Sequence, residues 1–551
     1  MKVVIACLNS KYIHSSLAPW CLASGVKAYC GNDVDFKVME ATINGDIDEF
    51  ASRIIAEKPD VVSFSCYIWN ILKTIEACSL VKEKLRCKII VGGPEVSYRA
   101  DDVLNKYSFV DYVLCGEGEE TFPELINKIK DCENYFNVAG LAYRLDDKII
   151  INDEKEYIGT PVSPYIDEYF ENLSGRICYI ETSRGCPYRC AYCLSGRCSP
   201  LRFFDLDRVK NDIIKLSNSG TKTVKFVDRT FNANSKRANE IISFILENRG
   251  EAIPENVCFH FEIAGDILTE ETYHLLSTAP EGLFQLEIGM QSFNEETLKF
   301  INRKTDTERL VKNIEKLVAS GNMHIHIDLI AGLTGENIKS FERSFDIGYN
   351  LKAHMLQMGF LKLLHGADMR ENPDKYPCVF SDTPPYEVIK TPWLSEEELI
   401  SLKKCEDALE RMYNSGRFLY TLDYLLNDCG YTPFRLFYEF GNSVKGSKMS
   451  LSDYAVEIYN HFSEKSDSEI LREKLICDML SCSSALQIPD VLKRKDKDYK
   501  KLKKHFVEFS GKYNKIAVLY KSGKVFVVDQ NGKKDLHGRF VGEFYNLTDF
   551  V

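Results

Sequence analysis

Three cysteines within eight residues, Cys186-Pro-Tyr-Arg-Cys190-Ala-Tyr-Cys193, constrain this chain more than any other feature. They follow a run that reads as a strand, Ile177-Cys-Tyr-Ile-Glu-Thr, and a Ser183-Arg-Gly185 turn. Three thiolates can bind three irons of a [4Fe–4S] cluster and leave the fourth iron open, whereas a ferredoxin closes every iron with four. The alternative is a structural zinc site. That needs four ligands in a closed set, for which Cys178 or Cys198 would have to serve, and no second C-x2–4-C pair is evident.

The C-x-x-x-C-x-x-C spacing, with Tyr192 just before the last cysteine, resembles the signature of radical S-adenosylmethionine (SAM) enzymes. The resemblance implies that the cluster is held by Cys186, Cys190 and Cys193. It also implies that SAM chelates the open iron and is cleaved by one electron to methionine and a 5′-deoxyadenosyl radical. From about Arg176 to Leu364 strand and helix patterns alternate. The strands are Cys178–Thr182, Thr223–Val227, Val257–Ile263, Leu283–Ile288, His324–Ile330 and Met355–Leu361. Six such units fit the (β/α)6 partial barrel of the radical SAM core, expected over residues 172–365. In parallel barrels the chemistry lies at the carboxyl ends of the strands. There the sequence has Asp228-Arg-Thr-Phe-Asn232, Phe259-His-Phe-Glu262, Glu287-Ile-Gly289-Met-Gln291-Ser292, Arg303 and Asp328-Leu-Ile-Ala-Gly332. The spacing from Gln291 to Arg303 and to Asp328 resembles that of oxygen-independent coproporphyrinogen oxidases. By that resemblance Arg303 pairs with the SAM carboxylate, a charge-assisted contact. Gln291, Glu262 and Asp328 then surround its ribose and amino group, with Tyr192 and Ser292 in the same cofactor-binding set. Taken singly, Asp328 or Glu262 reads equally well as a helix cap, and Arg303 as a surface residue. His260, His324 and His326 read as barrel-lining or core histidines.

Upstream, residues 1 to about 130 alternate short, continuous apolar strands (Val3–Leu8, Phe36–Glu40, Val61–Cys66, Lys88–Val91, Tyr112–Cys115) with helical stretches. Runs of that kind are buried on both faces and predict a doubly wound, flavodoxin-like parallel sheet. Ligands of such sheets bind beyond the carboxyl ends of the strands. Ser63, Ser65, Gly92 and Gly93 lie at those ends, and the two glycines read as places where a ligand approaches the backbone. Directly ahead of the cysteine loop, Val-Gly-Gly-Pro-Glu and Cys115-Gly-Glu-Gly-Glu-Glu-Thr-Phe122 resemble the cobalamin-binding domain of cobalamin-dependent radical SAM enzymes. The resemblance implies a cobalamin domain over 1–150, with the nucleotide tail near these four residues. The Asp-x-His-x-x-Gly motif that supplies a cobalt-ligating histidine is missing, and His14 reads as a loop or helix-start residue.

Residues 365–395 hold five prolines and read as a linker or substrate-site loop. A mainly helical accessory domain is expected over 395–551, closing with strand-like runs at Lys515–Tyr520, Lys524–Asp529 and Gly538–Tyr545. The lysine run from Lys493 to Lys504 reads as a solvated helix face.

The chain's 44% hydrophobic and 27% charged residues are those of a globular protein. A formal charge of −11 argues against a generally nucleic-acid-binding surface. No apolar run reaches membrane-spanning length. Nineteen cysteines without a secretory signal imply a reducing, cytoplasmic setting. The expected activity is therefore that of a cobalamin-dependent radical SAM enzyme, methylating an unactivated carbon of an unidentified organic substrate and reduced by a flavodoxin or ferredoxin. The rivals are a non-methylating cobalamin radical enzyme that forms or rearranges rings, a tRNA methylthiotransferase, and a non-catalytic cofactor-binding regulator.

Overall fold

The computed structural model describes residues 1–173, 175–197, 200–446, 449–482, 488–493, 504, 515–532 and 534–550. Cys198 and most of the lysine run 493–504 lie outside the described residues. The chain divides into two compact units. The first comprises Met1–Glu287, Lys299–Asp306 and Leu361–Ile389, and the second Ile288–Leu298, Thr307–Phe360 and Lys390–Val551.

The first sheet runs in the order β2-β1-β3-β4-β5-β6-β7. Its strands are β1 (Lys2–Asn9), β2 (Asp35–Thr42), β3 (Val61–Ser65), β4 (Lys88–Gly92), β5 (Tyr112–Leu114), β6 (Leu141–Leu145) and β7 (Lys148–Ile151). The first five are parallel, as their apolar runs predict. Val3 to Leu8 are almost wholly buried because helices cover both faces. β6 extends the sheet antiparallel to β5, and β7 pairs antiparallel with β6 at the edge. Helix Ile47–Ala56 shows how local sequence sets the layers. The Asp46 side chain accepts from the Asp48 and Glu49 amides and caps it, while Ile47, Phe50, Ala51 and Ile54 face the core.

Two short strands, β9 (Ser183–Arg184) and β10 (Arg202–Phe203), pair antiparallel around the cysteine loop. The second large sheet runs β15-β14-β13-β12-β11-β8. It contains β8 (Cys178–Ile180), β11 (Thr223–Phe226), β12 (Cys258–Ile263), β13 (Phe284–Gln291), β14 (His324–Ala331) and β15 (Met355–Phe360). β8–β11, β11–β12 and β14–β15 are parallel. Burial alternates strictly along β12, β13 and β14. On β12 the buried face carries Phe259, Phe261 and Ile263, and the half-buried face His260 and Glu262. That period of two separates an apolar outer layer from a polar inner one.

Segment 361–389 is more ordered than its prolines suggest. β16 (Val379–Phe380) and β17 (Val388–Lys390) pair within it, the Leu363 amide donates to Tyr386 O and the Val388 amide to Leu361 O. In the second unit helices from Glu396 to Cys482 precede β18 (Lys515–Leu519), β19 (Lys524–Val528) and β20 (Gly542–Asn546), an antiparallel meander. No helix among the described residues is long and apolar enough to cross a membrane.

Candidate cofactor sites

The cysteine loop is fastened at both ends. Asp228, 2% exposed, accepts from the Thr182 amide (2.9 Å), Thr182 Oγ1 (2.7 Å) and Ser183 Oγ (2.5 Å). Burial pushes its carboxyl up to about 6, against those hydrogen bonds. Next to it Arg184 is gripped by three carboxylates: Glu181 (2.6 Å), Glu117 (2.5 Å) and Glu119 (2.7 Å). Arg202 shares Glu117 at 2.7 Å. Further along, the Ala191 amide donates to Ile301 O, and the Met369 amide to Ala191 O. Asn302 Nδ2 donates to Arg189 O at 2.8 Å.

Cys190 is 8% exposed, and Arg303 Nη1 lies 3.8 Å from its Sγ. Burial raises the Cys190 thiol and Arg303 opposes that rise. Cys186 Sγ is 3.6 Å from Thr230 Oγ1. Cys190 and Cys193 open onto a cavity of about 350 Å3 that Arg189, Arg197, Asn302 and Asp368 also line. Burial holds the Tyr192 phenol above its ordinary range.

The donor set fits an iron–sulfur cluster better than zinc. The three sulfurs are not gathered around a single ion: among the described residues no cysteine belongs to a ligand set close enough for that. A cluster spreads its thiolates over separate irons, whereas zinc draws four donors to one point. Cys178 is not available as a fourth zinc ligand. It is buried at the start of β8, remote from the carboxyl end that leads to the loop, with its sulfur 3.7 Å from Ser219 Oγ.

The remaining SAM candidates divide between the units. In the first, Glu262 and Glu287 lie 3.9 and 3.0 Å from Lys225 Nζ, and His260 Nε2 is 3.0 Å from Glu287 Oε2. His260 thus sits on the polar inner face. In the second, Gln291 ends β13 with φ +68°, a left-handed conformation rare for a residue with a side chain. Ser292 follows, 1% exposed, and donates to Glu336 Oε1 at 2.6 Å. Ser344 Oγ lies 3.4 Å from the same oxygen and also receives the Phe293 amide. Glu336 is fully buried, its other oxygen has no partner among the described residues, and burial pushes its carboxyl up to about 7. Asp328 Oδ1 lies 3.0 Å from His326 Nε2. The sequence marks Asp228 and Glu336 as strand-end polar residues but not the supporting roles that they and Arg184 take, because the partners Thr182, Ser183, Glu117, Glu119 and Ser292 lie tens of residues away.

At the strand ends of the first sheet the groups are small and neutral. Ser63 is 3% exposed and its Oγ has no partner among the described residues. Ser65 is buried, and Asn70 Nδ2 donates to both Leu8 O and Ser65 O at 3.0 Å. A buried hydroxyl with no protein partner fits a bound group that supplies the missing hydrogen bond. The glycines have a different role from the one their sequence suggests. Gly93 has φ +106°, and a Cβ there would lie 2.6 Å from Cys66 O; at Gly92 it would lie 3.1 Å from Leu114 O. Neighbouring backbone, rather than ligand space, demands the small residue. His14 is held at Tyr179, its Nδ1 2.6 Å from the hydroxyl.

Comparison with known proteins agrees with this geometry. Residues 2–126 match the B12 binding domain, residues 180–347 the Radical SAM superfamily, and residues 374–524 a family described as protein of unknown function, DUF4080. The cobalamin-dependent radical SAM methyltransferase TokK of Streptomyces tokunonensis is 29% identical over 54% of this chain and 45% of its own. The 2-(S-pantetheinyl)-carbapenam-3-carboxylate methyltransferase of Streptantibioticus cattleyicolor is 27% identical over 73% of this chain and 63% of its own. The chain thus spans about half to three-fifths of the length of these relatives. The fold is that of OxsB, a cobalamin-dependent SAM radical enzyme solved with aqua-cobalamin. Its TM-score is 0.61 at 15% identity, covering 87% of this chain and 80% of that one.

Proposed function

We propose that this chain, a B12 binding domain followed by a Radical SAM superfamily domain, is a cobalamin-dependent radical SAM methyltransferase acting on an unactivated carbon of an organic substrate. The observation that carries the reading is the cysteine loop: three thiols spread over separate positions with the half-buried Arg303 guanidinium beside the middle one. When bound, the cluster and SAM supply a carbon-centred radical, and cobalamin supplies a transferable methyl group.

The chain's own residues do the rest. Cys186, Cys190 and Cys193 hold the cluster, with Asp228 and Arg184 fixing the strand that leads into the loop. Arg303 binds the SAM carboxylate from the Cys190 side. Within the first unit Tyr192 and Glu262 line the rest of the SAM site; in the second, Gln291, set by its turn, Ser292 and Asp328 are the SAM contacts proposed. Ser63 and Ser65 meet the cobalamin tail, and Gly92 and Gly93 keep the strand ends in the shape that admits it. The working parts are residues 1–150 for cobalamin and 172–365 for the radical SAM core, with 395–551 as an accessory domain contributing to substrate choice. A flavodoxin or ferredoxin of the cytoplasm delivers the electron. The methyltransferase relatives favour methylation over ring formation.

The test is anaerobic reconstitution with iron and sulfide. The protein is expected to take up one [4Fe–4S] cluster and convert SAM to 5′-deoxyadenosine under reduction. Stoichiometric zinc without iron would reject the reading.

A further inference from the structure

Segment 361–389 joins the surroundings of both candidate cofactor sites within the first unit, and at that junction it holds a cation without an acid. Arg370 is half-buried. Its Nη1 donates to Leu363 O at 2.5 Å, and its guanidinium lies over the Tyr386 ring (4.6 Å) and the Phe380 ring (5.0 Å). No carboxylate among the described residues comes within ion-pair distance of it. Glu95, the buried acid of the cluster, is engaged elsewhere: Arg99 Nη2 donates to it at 2.7 Å, and so does the Tyr386 hydroxyl. Asp382 acts on Arg370 only from beyond direct contact.

Two further groups face the same place. His365 meets Tyr386 edge-on at 5.0 Å, and its buried Nε2 has no partner among the described residues. Burial, then Arg370 and Arg99, hold its imidazole down to about 3, so it is neutral and can donate one N–H. Tyr386 has φ +55°, a conformation that persists only where its surroundings enforce it.

The position adjoins both candidate sites. Both chain neighbours of Arg370 reach the cysteine loop: the Met369 amide donates to Ala191 O, and Glu371 pairs with Arg197 at 2.6 Å. On the other side Tyr386 is bonded to Glu95, two residues beyond Gly93. A guanidinium with donors to spare, backed by aromatic faces and a neutral histidine, is built to receive an oxyanion bidentately.

We propose that Arg370, with His365 and Arg99 beside it, is a binding site for a carboxylate or phosphate group. That the group belongs to the substrate rather than to the cofactor's phosphodiester rests on the function proposed above; the anion site itself does not.

The probe is inorganic phosphate, titrated into the full-length protein and followed by 31P line broadening. Arg370→Ala is expected to weaken phosphate binding at least tenfold, and Arg370→Lys to restore part of it, at unchanged melting temperature. Arg53→Ala, on helix Ile47–Ala56 and without contact to the Arg370 cluster, should leave binding as it is. Equal affinity in wild type and Arg370→Ala, or an equal loss in Arg53→Ala, overturns the site. If Arg370→Ala destabilises the fold, Arg370→Gln replaces it with the same criteria. Affinities for cobalamin and for cobinamide, which lacks the phosphodiester, then locate the group. A fall for cobalamin alone assigns the site to the cofactor; no change in either assigns it to the substrate.

Discussion

The two strand-end regions of the first unit solve opposite problems with the same architecture. Along and just beyond the carboxyl ends of β1, β3 and β4 the groups are mostly neutral and small: Ser63 and Ser65 on β3, Asn70, Gly92 and Gly93, with the buried acid Glu95 paired to Arg99. Beyond and within β8, β11, β12 and the start of β13 they are ionised or ionisable: Asp228, Lys225, His260, Glu262 and Glu287, with Arg184 and Arg303 in the adjoining loops. On the function proposed, the first region, shaped by backbone, offers hydrogen bonds to a large preformed ligand, and the second surrounds a place where charge is bound and redistributed, for which fixed charge pairs are needed. Fold alone does not distinguish them; the chemistry of the strand ends does.

The largest effect expected is at the cysteines. Replacing any one of Cys186, Cys190 or Cys193 by alanine should abolish SAM cleavage, measured as 5′-deoxyadenosine, and the triple variant should lose its iron. The sheet at 1–150 should be untouched, so cobalamin binding should persist. A triple variant that keeps full iron and sulfide would break the comparison.

Next comes Arg303. Loss of a charge-assisted contact costs on the order of 2–3 kcal/mol, so Arg303→Ala should weaken SAM binding roughly 30- to 150-fold. The cluster should remain, and lysine should rescue only in part because it lacks the planar fork. Equilibrium dialysis of SAM against reconstituted protein checks this; equal affinity removes the carboxylate role.

The buried acid at Glu336 extends the contrast to the second unit. Its carboxyl is raised in the folded state from 4.5 to about 7. The folded chain therefore keeps a proton that the unfolded chain gives up. Its contribution to stability is full below about pH 4.5 and is lost as pH rises to about 7, a change of about 3 kcal/mol. Glu336→Gln should flatten the dependence of urea stability on pH between 5 and 8 relative to wild type. Parallel curves would show that Glu336 does not titrate in that range.

In the first sheet the effects are smaller and separable. Gly93→Ala forces a left-handed residue against Cys66 O and should lower stability by about 1–3 kcal/mol; Gly92→Ala, with its 3.1 Å contact, should cost less. Ser63→Ala removes an unpartnered hydroxyl, so the apo protein should lose no stability. Its cobalamin affinity should fall about five- to tenfold, the worth of one hydrogen bond. Destabilisation without a change in cobalamin binding would reverse the assignment of Ser63.

Much of the fold was legible because burial leaves a direct trace in sequence. The apolar runs of β1 to β5 and the alternation in β12 to β14 locate those strands to within a few residues. β6 and β7 were missed: they are short strands around an Asp146-Asp147 turn, the buried run of β6 is only Leu141-Ala142-Tyr143, and β7 lies at the sheet edge with Ile151 exposed. Residues 365–395 read as a loop because their prolines hide the pairing that the other residues make. The cysteine spacing was legible because ligand geometry is local. The clamp of Arg184 on Glu117 and Glu119 was not, since its partners are 67 and 65 residues away and a charge in sequence does not say which charge it meets. The glycines were legible as special positions but not for the right cause, because a backbone carbonyl from another strand leaves no mark on theirs.

The central claim is that one chain uses both cofactors, and a single measurement tests it without knowing the substrate. Reconstituted protein is incubated anaerobically with cobalamin, reductant and SAM labelled with deuterium in its methyl group, and the products are read by mass spectrometry. The account predicts 5′-deoxyadenosine together with S-adenosylhomocysteine, and the deuterated methyl on cobalamin; the triple cysteine variant should lose the 5′-deoxyadenosine. 5′-Deoxyadenosine with neither S-adenosylhomocysteine nor label on cobalamin would contradict it.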